Sequence, residues 1–204
     1  MNLHRTSGKP DWDMISASKH NIWQRIAAAT AGIVTPANAL TIIGGVLVVI
    51  GLLQIIDNNY LSGASLLVIG RLLDLADGWA AESTGTKSPL GELMDATVDK
   101  LGTVATVIVF FIADVVSGWF LLALLIPHIL IAIIATIAFI KKRQIHPSRL
   151  GKLSMAAAWL SLIGFAFAKA AGDSNLLNFI VYAILIASVT MGVGALLGYL
   201  RHKD

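Results

Sequence analysis

Six apolar runs of nearly membrane-spanning length follow one another after Pro36 and limit what this chain can fold into. A helix that crosses the hydrocarbon core of a bilayer needs about 20 predominantly apolar residues. The predicted spans are residues 38–56, 60–81, 93–113, 119–140, 153–171 and 176–200. Only 13% of the residues are charged, against about 25% in soluble domains. These features argue against a soluble enzyme, a nucleic-acid binder or a disordered chain, and predict an all-α integral membrane protein with six transmembrane helices.

The first 37 residues are polar by comparison and form a separate predicted segment. Within them, residues 16–32 are expected to form a helix with Ile22, Trp23 and Ile26 on one side and basic residues on the other. A basic amphipathic helix with a tryptophan on its apolar face suits the membrane interface, although an ordinary polar leader helix fits the pattern equally well. The predicted organisation is therefore a cytoplasmic leader, 1–37, and a six-helix domain, 38–204.

The basic residues predict the orientation of the helices. The leader holds four Lys or Arg residues, the second connection one, the fourth five and the tail two, whereas the first, third and fifth connections hold none. Because cytoplasmic loops are enriched in Lys and Arg, both termini are expected to face the cytoplasm. The chain has no cysteine, which excludes disulfides, thiolate catalysis and cysteine-based metal sites within this sequence.

Four aspartates interrupt the second and third apolar runs. Asp74 and Asp77 are three residues apart, and Asp95 and Asp99 four apart, so each pair lies on one face of its helix. A short cytoplasmic hairpin joins the two helices, which places the pairs at similar depth. Charged residues within spans are candidates for function, and four carboxylates need counter-charge to remain ionised together. Oxygen-binding divalent cations, Mg²⁺ or Mn²⁺, are the natural partners.

Small residues surround these acids, and Gly78 and Gly91 lie beside carboxylates. Small residues in membrane helices often indicate only close packing, but a glycine also allows a ligand to approach the backbone. A metal site that binds a diphosphate-bearing ligand fits this arrangement. A divalent-cation transporter is the alternative from another class, although transport acids are expected nearer the middle of the membrane.

The spacing of these residues resembles the signature of the CDP-alcohol phosphatidyltransferases, D-x2-D-G-x2-A-R-x8-G-x3-D-x3-D. Seven of its eight fixed positions match: Asp74, Asp77, Gly78, Ala81, Gly91, Asp95 and Asp99. The remaining position, an Arg in the family, is Glu82, which reverses the charge near the expected nucleotide site. Thr35-Pro36 before the first span and Gly151-Lys152 before the fifth also resemble family segments.

The resemblance implies an enzyme that transfers the phosphatidyl group from CDP-diacylglycerol to a small polar alcohol and releases CMP. By this resemblance, Asp99 is the general base and shares in metal binding, and two Mg²⁺ or Mn²⁺ ions are expected. The other implied metal ligands are Asp74, Asp77 and Asp95. The implied nucleotide-binding residues are Gly78, Ala81 and Gly91, with Asn38 and Thr41 as weaker candidates. The active site is expected to face the cytoplasm, and the resemblance suggests a homodimer.

The acceptor is predicted to carry a phosphate held by basic residues near the fourth connection. Lys152 and Arg149 are the stronger candidates, and Lys142 and Arg143 the weaker. All four also fit the orientation signal alone, which is the preferred explanation for Lys142. The Gly-Lys-x-Ser segment is closer to the glycerol-phosphate branch of the family, whereas the Thr-Pro opening is closer to the inositol-phosphate enzymes. Glycerol 3-phosphate is the predicted acceptor and inositol phosphate the alternative.

Overall fold

Helices account for all the regular secondary structure in the described part of the chain. The structure, a computed structural model, describes residues 22–140 and 148–201, and no strand occurs among them. The helices are α1 (Ile22–Ala29), α2 (Pro36–Ile56), α3 (Tyr60–Thr84), α4 (Pro89–Ile112), α5 (Gly118–Ile140), α6 (Arg149–Ala170) and α7 (Asn175–Arg201). The all-α prediction is confirmed, and each apolar run forms one helix. Helix α1 covers part of the predicted leader helix, whose residues 16–21 lie outside the described residues.

The largest shifts in helix boundaries occur where a serine caps the helix. The Ser88 hydroxyl accepts the backbone N–H of Gly91, and the Ser148 hydroxyl accepts that of Gly151. Each cap satisfies a backbone donor that the first turn of a helix would leave unpaired. Helices α4 and α6 therefore begin four residues earlier than the apolar runs alone predicted.

Among the residues that the structure describes, three helices are long and apolar enough to cross a membrane: α2, α6 and residues 175–200 of α7. Helices α3 and α4 are 25 and 24 residues long, which is also sufficient length, but charged residues interrupt their apolar sequence. The six-span topology and the interfacial position of α1 remain predictions.

Helices α2 and α3 approach each other along a seam of glycines. A Cβ added at Gly44 would lie 3.1 Å from the Gly70 carbonyl oxygen, and one added at Gly51 would lie 3.0 Å from that of Gly63. The pairing of 44 with 70 and 51 with 63 shows that the helices run antiparallel. Close approach of this kind is the usual contribution of small residues between membrane helices. It also brings the first turns of α2 against the end of α3, where the aspartates lie.

The remaining helices complete a bundle around one apolar core. Helix α4 packs on α2, α6 on α7 and α3, and α5 on α7. The most deeply buried apolar side chains come from five different helices: Ile55, Leu67, Phe110, Leu162 and Leu185. The contact of α3 with α6 links the helices that carry the aspartates to the second half of the chain.

The aspartates of the third and fifth connections have a conformational role. Asp114 and Asp173 adopt positive φ angles of 50° and 59°, and Asn58 in the first connection has a φ of 62°. Asn and Asp tolerate this left-handed conformation better than most residues with a Cβ. These polar residues therefore reverse the chain at helix ends.

Candidate active site

Three of the four aspartates converge at the ends of α3 and α4. One carboxylate oxygen from each of Asp74, Asp77 and Asp95 lies within 4.8 Å of the other two. The convergence follows from the three-residue spacing on α3 and from the short connection at residues 85–88, which turns α4 back against α3. Three carboxylates this close repel one another unless a cation lies between them. Their oxygens form the donor set that Mg²⁺ and Mn²⁺ prefer, so these residues fit the predicted metal site.

Asp77 is the most buried of the three and is held from α2. It is 5% exposed, and its Oδ2 accepts a hydrogen bond of 2.5 Å from the Thr41 hydroxyl. A hydroxyl that donates to one carboxylate oxygen fixes the orientation of the group and leaves the other oxygen available to a ligand. The Thr41 hydroxyl also contacts the Ala37 carbonyl oxygen at 3.1 Å, and the predicted contact of Thr41 with a nucleotide remains a prediction.

A cavity of about 270 Å³ opens beside Asp77 and Asp95. All five residues predicted to bind the nucleotide line it: Asn38, Thr41, Gly78, Ala81 and Gly91. We call it the nucleotide cavity, after that prediction. Thr86, Lys87 and Ser88 of the α3–α4 connection also line it; they were not predicted from the sequence, although the Ser-Pro pair at the start of α4 is visible there. The structure thus brings the predicted nucleotide residues and two predicted metal ligands together around one cavity.

Asn38 and Gly91 shape the wall of this cavity. The Asn38 amide nitrogen donates to the carbonyl oxygens of Gly32 and Ile33 at 2.9 and 2.8 Å, which ties the segment before α2 to the site. Its amide oxygen lies 2.9 Å from the position that a Cβ on Gly91 would occupy. A side chain at position 91 would therefore collide with Asn38 and would also narrow the cavity.

Asp99 lies apart from the three-acid cluster and is paired with Arg71. The Arg71 Nη1 donates to Asp99 Oδ1 at 2.6 Å, while Nη2 lies 3.2 Å from Asp74 Oδ2. The guanidinium also stacks on Trp159, with Cζ 4.3 Å from the ring centroid, a favourable cation–π geometry. Asp99 is not one of the three clustered acids, and its predicted share in metal binding remains a prediction. Neither Arg71 nor Trp159 was predicted from the sequence as a site residue.

A second cavity, of about 470 Å³, lies on the Asp99 side of the site. Its walls are mainly apolar residues of α2 and α4, and Arg71, Asp74, Asp99 and Trp159 border it. We call it the apolar cavity. Such a surface favours acyl chains and disfavours a free polyol.

Glu82, which replaces the family arginine, points to the surface and faces Lys87. The Lys87 Nζ lies 3.8 Å from a Glu82 oxygen and 4.0 Å from a Glu92 oxygen. All three side chains are more than half exposed, so these pairs contribute little to stability. Because Lys87 also lines the nucleotide cavity, a basic residue is present there despite the reversed charge at 82.

The predicted acceptor-phosphate residues are not brought to the aspartates in the described part of the chain. Arg149 and Lys152 are exposed at the start of α6 and line neither the nucleotide cavity nor the apolar cavity. Lys142 and Arg143 lie outside the described residues. Their role remains a prediction.

A second polar cluster lies away from the acids, between α5, α6 and α7. The Ser154 and Ser188 hydroxyls each donate to the other residue's carbonyl oxygen at 2.8 Å. His128 contacts Ser154 Oγ at 3.2 Å and the Leu124 carbonyl oxygen at 2.8 Å. We call these three residues, His128, Ser154 and Ser188, the serine–histidine cluster.

The family can be assigned from a match that covers most of the chain. The model of the CDP-alcohol phosphatidyltransferase family matches residues 34–197. The chain belongs to this family. The match includes α2 to α6 and most of α7, so it covers the aspartates, the nucleotide cavity and the serine–histidine cluster, and it confirms the resemblance inferred from the motif.

Curated relatives of this CDP-alcohol phosphatidyltransferase family member carry two different names. Putative cardiolipin synthases of Mycobacterium bovis and Mycobacterium tuberculosis are 33% identical over 103 residues, 50% of this chain and 48% of theirs. The archaetidylinositol phosphate synthase of Pyrococcus horikoshii is 32% identical over 78 residues, 38% of this chain and 42% of its own. The chain thus matches about half the length of these relatives or less, and no solved structure gave a significant match.

Proposed function

We propose that this protein is a membrane phospholipid synthase that transfers the phosphatidyl group of CDP-diacylglycerol to a small polar alcohol, with glycerol 3-phosphate as the first candidate. The observation that carries the proposal is the cluster of Asp74, Asp77 and Asp95, whose oxygens lie within 4.8 Å of one another at the edge of the nucleotide cavity. Family membership supports the reaction class. The relatives' names differ in product, so the choice of acceptor depends on experiment.

In this proposal Asp74, Asp77 and Asp95 hold the divalent cations, Mg²⁺ or Mn²⁺. Bound cations would supply positive charge opposite the diphosphate and the departing CMP. Thr41 orients Asp77 for this task, and Gly78, Ala81, Gly91 and Asn38 form the cavity that receives the cytidine.

Asp99 is the proposed general base. It takes the proton of the acceptor hydroxyl, and the acceptor oxygen forms a bond to the β-phosphorus of CDP-diacylglycerol. The bond from that phosphorus to the bridging oxygen breaks, and the electron pair leaves with CMP. The carboxylate is 30% exposed, so it is open to a substrate.

Two alternatives concern the acceptor. Inositol phosphate would use the same basic residues, Lys152 and Arg149, with Lys142 and Arg143. A lipid that bears a free hydroxyl is the second alternative. The apolar cavity favours it, because this cavity borders Asp99 and Arg71, and so does the name of the mycobacterial relatives. The acyl chains of CDP-diacylglycerol fit the same surface.

We propose that all six long helices cross the membrane, with both termini in the cytoplasm, α1 at the interface and the active site open to the cytoplasm. The alternation of basic and acidic connections supports this orientation. Charge on α3 and α4 is tolerable in a membrane because the acids face one another and Arg71 inside the bundle. A homodimer is part of the proposal through the family resemblance alone.

The deciding experiment measures CMP release by the purified protein supplied with CDP-diacylglycerol and Mg²⁺ or Mn²⁺. Separate reactions contain glycerol 3-phosphate, inositol phosphate or a phospholipid with a free hydroxyl. Release that requires metal and one acceptor supports the proposal and identifies the acceptor. A folded protein that releases no CMP in any reaction, but moves Mn²⁺ across proteoliposome membranes, would favour the transporter alternative.

Topology is testable by cysteine labelling, because the chain has no native cysteine. Cysteines introduced at Asp57 or Asp173 are expected to react only from the outer side, and one at Lys87 only from the cytoplasm. Labelling of position 57 from the cytoplasm would contradict the proposed orientation.

A further inference from the structure

One guanidinium connects the three-acid cluster to the remaining aspartate. Arg71 donates to Asp99 at 2.6 Å and lies 3.2 Å from Asp74, so it contacts one carboxylate of each kind. The planar fork of an arginine can bind two separate carboxylates through its two terminal nitrogens, which a lysine ammonium cannot do in the same fixed geometry. The three groups are 21 to 30% exposed, and partial burial strengthens their interaction over that of surface pairs.

Trp159 holds this guanidinium from a different helix. Its ring lies 4.3 Å from Arg71 Cζ, and its side chain is 5% exposed. Trp159 Nε1 is buried with no hydrogen-bond partner in the described part of the chain, so packing, rather than a hydrogen bond of its own, fixes the ring. With Cζ over this ring, the two terminal nitrogens of Arg71 still reach the carboxylates of Asp74 and Asp99.

We propose that Arg71 is a positioning residue that holds Asp99 as the general base, apart from the three aspartates that bind the cations. This inference rests on the proposed function. Its hydrogen bond holds Asp99 by Oδ1, away from the cluster of three, and leaves Oδ2 to accept the proton of the acceptor hydroxyl. Its second contact holds Asp74 at the edge of the cation site. Trp159 fixes the guanidinium between them.

The contacts explain why this position needs an arginine. Without Arg71, four carboxylates face one another with no cation from the protein among them, and Asp99 is free to join the others around a bound metal. The base would then be misplaced by about 1 Å or more, an error that can cost about 100-fold in rate. The family motif quoted above does not include position 71, so the role follows from the contacts alone.

The test compares Arg71→Gln, Arg71→Lys and Lys100→Gln in the CMP-release assay. Lys100→Gln is the matched control, because Lys100 is an exposed basic residue adjacent to Asp99. Arg71→Gln is expected to lower kcat about 100-fold with the KM for CDP-diacylglycerol changed less than about threefold. The kcat of Arg71→Lys should lie between those of Arg71→Gln and the parent, since an ammonium can neutralise one carboxylate but not hold both. Kinetics of Arg71→Gln equal to those of Lys100→Gln would overturn the proposal.

Chemical rescue separates positioning from folding. In Arg71→Ala, guanidinium at low, non-denaturing concentration should restore a measurable part of kcat, whereas ammonium at the same ionic strength should not. A folded Arg71→Ala protein that guanidinium does not rescue would count against the proposed role. Trp159→Leu should lower kcat in the same direction as Arg71→Lys, and Trp159→Phe, which keeps an aromatic face, should lower it less.

A spectroscopic measurement decides the inference without turnover. The chain has five tryptophans, so the difference between the parent and Trp159→Phe isolates the Trp159 emission. Asp99→Asn should shift this emission in the parent but not in Arg71→Gln, because Arg71 is the connection. Equal shifts in both backgrounds, or none in either, would refute the positioning role. Absence of CMP release by the parent, with this coupling present, would instead count against the proposed function.

Discussion

Two polar clusters lie within the helix bundle, and they differ in charge balance. The acidic site holds four carboxylates on α3 and α4, and two of them, Asp74 and Asp99, contact the Arg71 guanidinium. The serine–histidine cluster joins α5, α6 and α7 through hydroxyls, carbonyls and an imidazole, holds no carboxylate, and has both hydroxyls donating to backbone carbonyls. Of the two clusters, only the acidic site carries an excess of carboxylates over protein cations in contact with them.

This difference distinguishes the acidic site, which needs a ligand, from the serine–histidine cluster, which holds helices together. Buried polar groups that satisfy one another stabilise one arrangement of helices and require nothing further. Buried carboxylates in excess are costly unless a cation joins them. The acidic site is therefore expected to respond to ligands, and the serine–histidine cluster only to changes in folding.

The largest expected effect is on activity and comes from the acidic site. Asp95 is the member of the three-acid cluster that comes from α4. Asp95→Asn removes this carboxylate and should lower kcat for CMP release about 10³-fold. Mn²⁺ affinity, measured by calorimetry, should fall as well, while circular dichroism remains that of the parent. A variant that keeps parental activity would show that Asp95 is not a ligand.

The corresponding change in the serine–histidine cluster should leave activity almost intact. Ser154→Ala removes the donor to the Ser188 carbonyl and the contact with His128. Its kcat in the same assay should stay within about threefold of the parent, a change of well under 1.4 kcal/mol. A loss comparable with that of Asp95→Asn would remove the distinction between the two clusters.

The second-largest expected effect is on the KM for CDP-diacylglycerol and concerns two glycines of the nucleotide cavity. A Cβ at Gly78 would meet no protein atom within 4 Å, whereas one at Gly91 would lie 2.9 Å from Asn38 Oδ1. Gly78→Ala should therefore raise the KM for CDP-diacylglycerol about tenfold, equivalent to about 1.4 kcal/mol, with Tm unchanged or slightly higher. Gly91→Ala should raise KM and lower Tm together. If Gly78→Ala leaves KM unchanged, the nucleotide does not approach that glycine.

A third, smaller effect is on stability. Ser188→Ala should lower the free energy of unfolding by about 1 kcal/mol, because one hydrogen bond between α6 and α7 is lost. Thermal unfolding in detergent would measure the change. Ser65→Ala is the matched control, since the Ser65 hydroxyl is exposed and bonds only within its own helix. A Tm for Ser188→Ala no lower than that of the control would contradict the predicted role of the cluster.

The smallest effect belongs to the exposed pairs of Lys87. Its contacts with Glu82 and Glu92 are 3.8 and 4.0 Å long, and exposed pairs contribute about 0–1 kcal/mol. Glu82→Gln should change unfolding stability by less than about 0.5 kcal/mol, and added salt should reduce even that. A larger or salt-independent change would mean that Glu82 has a role its surface position does not show.

The helices and the main site could be predicted from the sequence because both depend on local spacing. Runs of apolar residues set the helices, and spacings of three and four residues place aspartates on one helical face. Part of the lining of the nucleotide cavity belongs to the same motif, namely Asp77, Gly78, Ala81, Gly91 and Asp95. The placement of Trp159 against the guanidinium that pairs with Asp99 could not be predicted, because Trp159 is distant in sequence and approaches only through the packing of α6 on α3. The serine–histidine cluster was missed for the same reason, since a single serine in an apolar helix gives no indication of its partner.

The short connection between α3 and α4 bears on how the protein is made. Every aspartate of the acidic site, and every residue lining the nucleotide cavity, lies between Ala37 and Asp99. These helices leave the ribosome before α6 is synthesised, so their contacts can form while the rest of the chain is still being translated. Arg71 would then meet its carboxylates first and its aromatic neighbour last, and the arrival of Trp159 would be the step of biogenesis that completes the site.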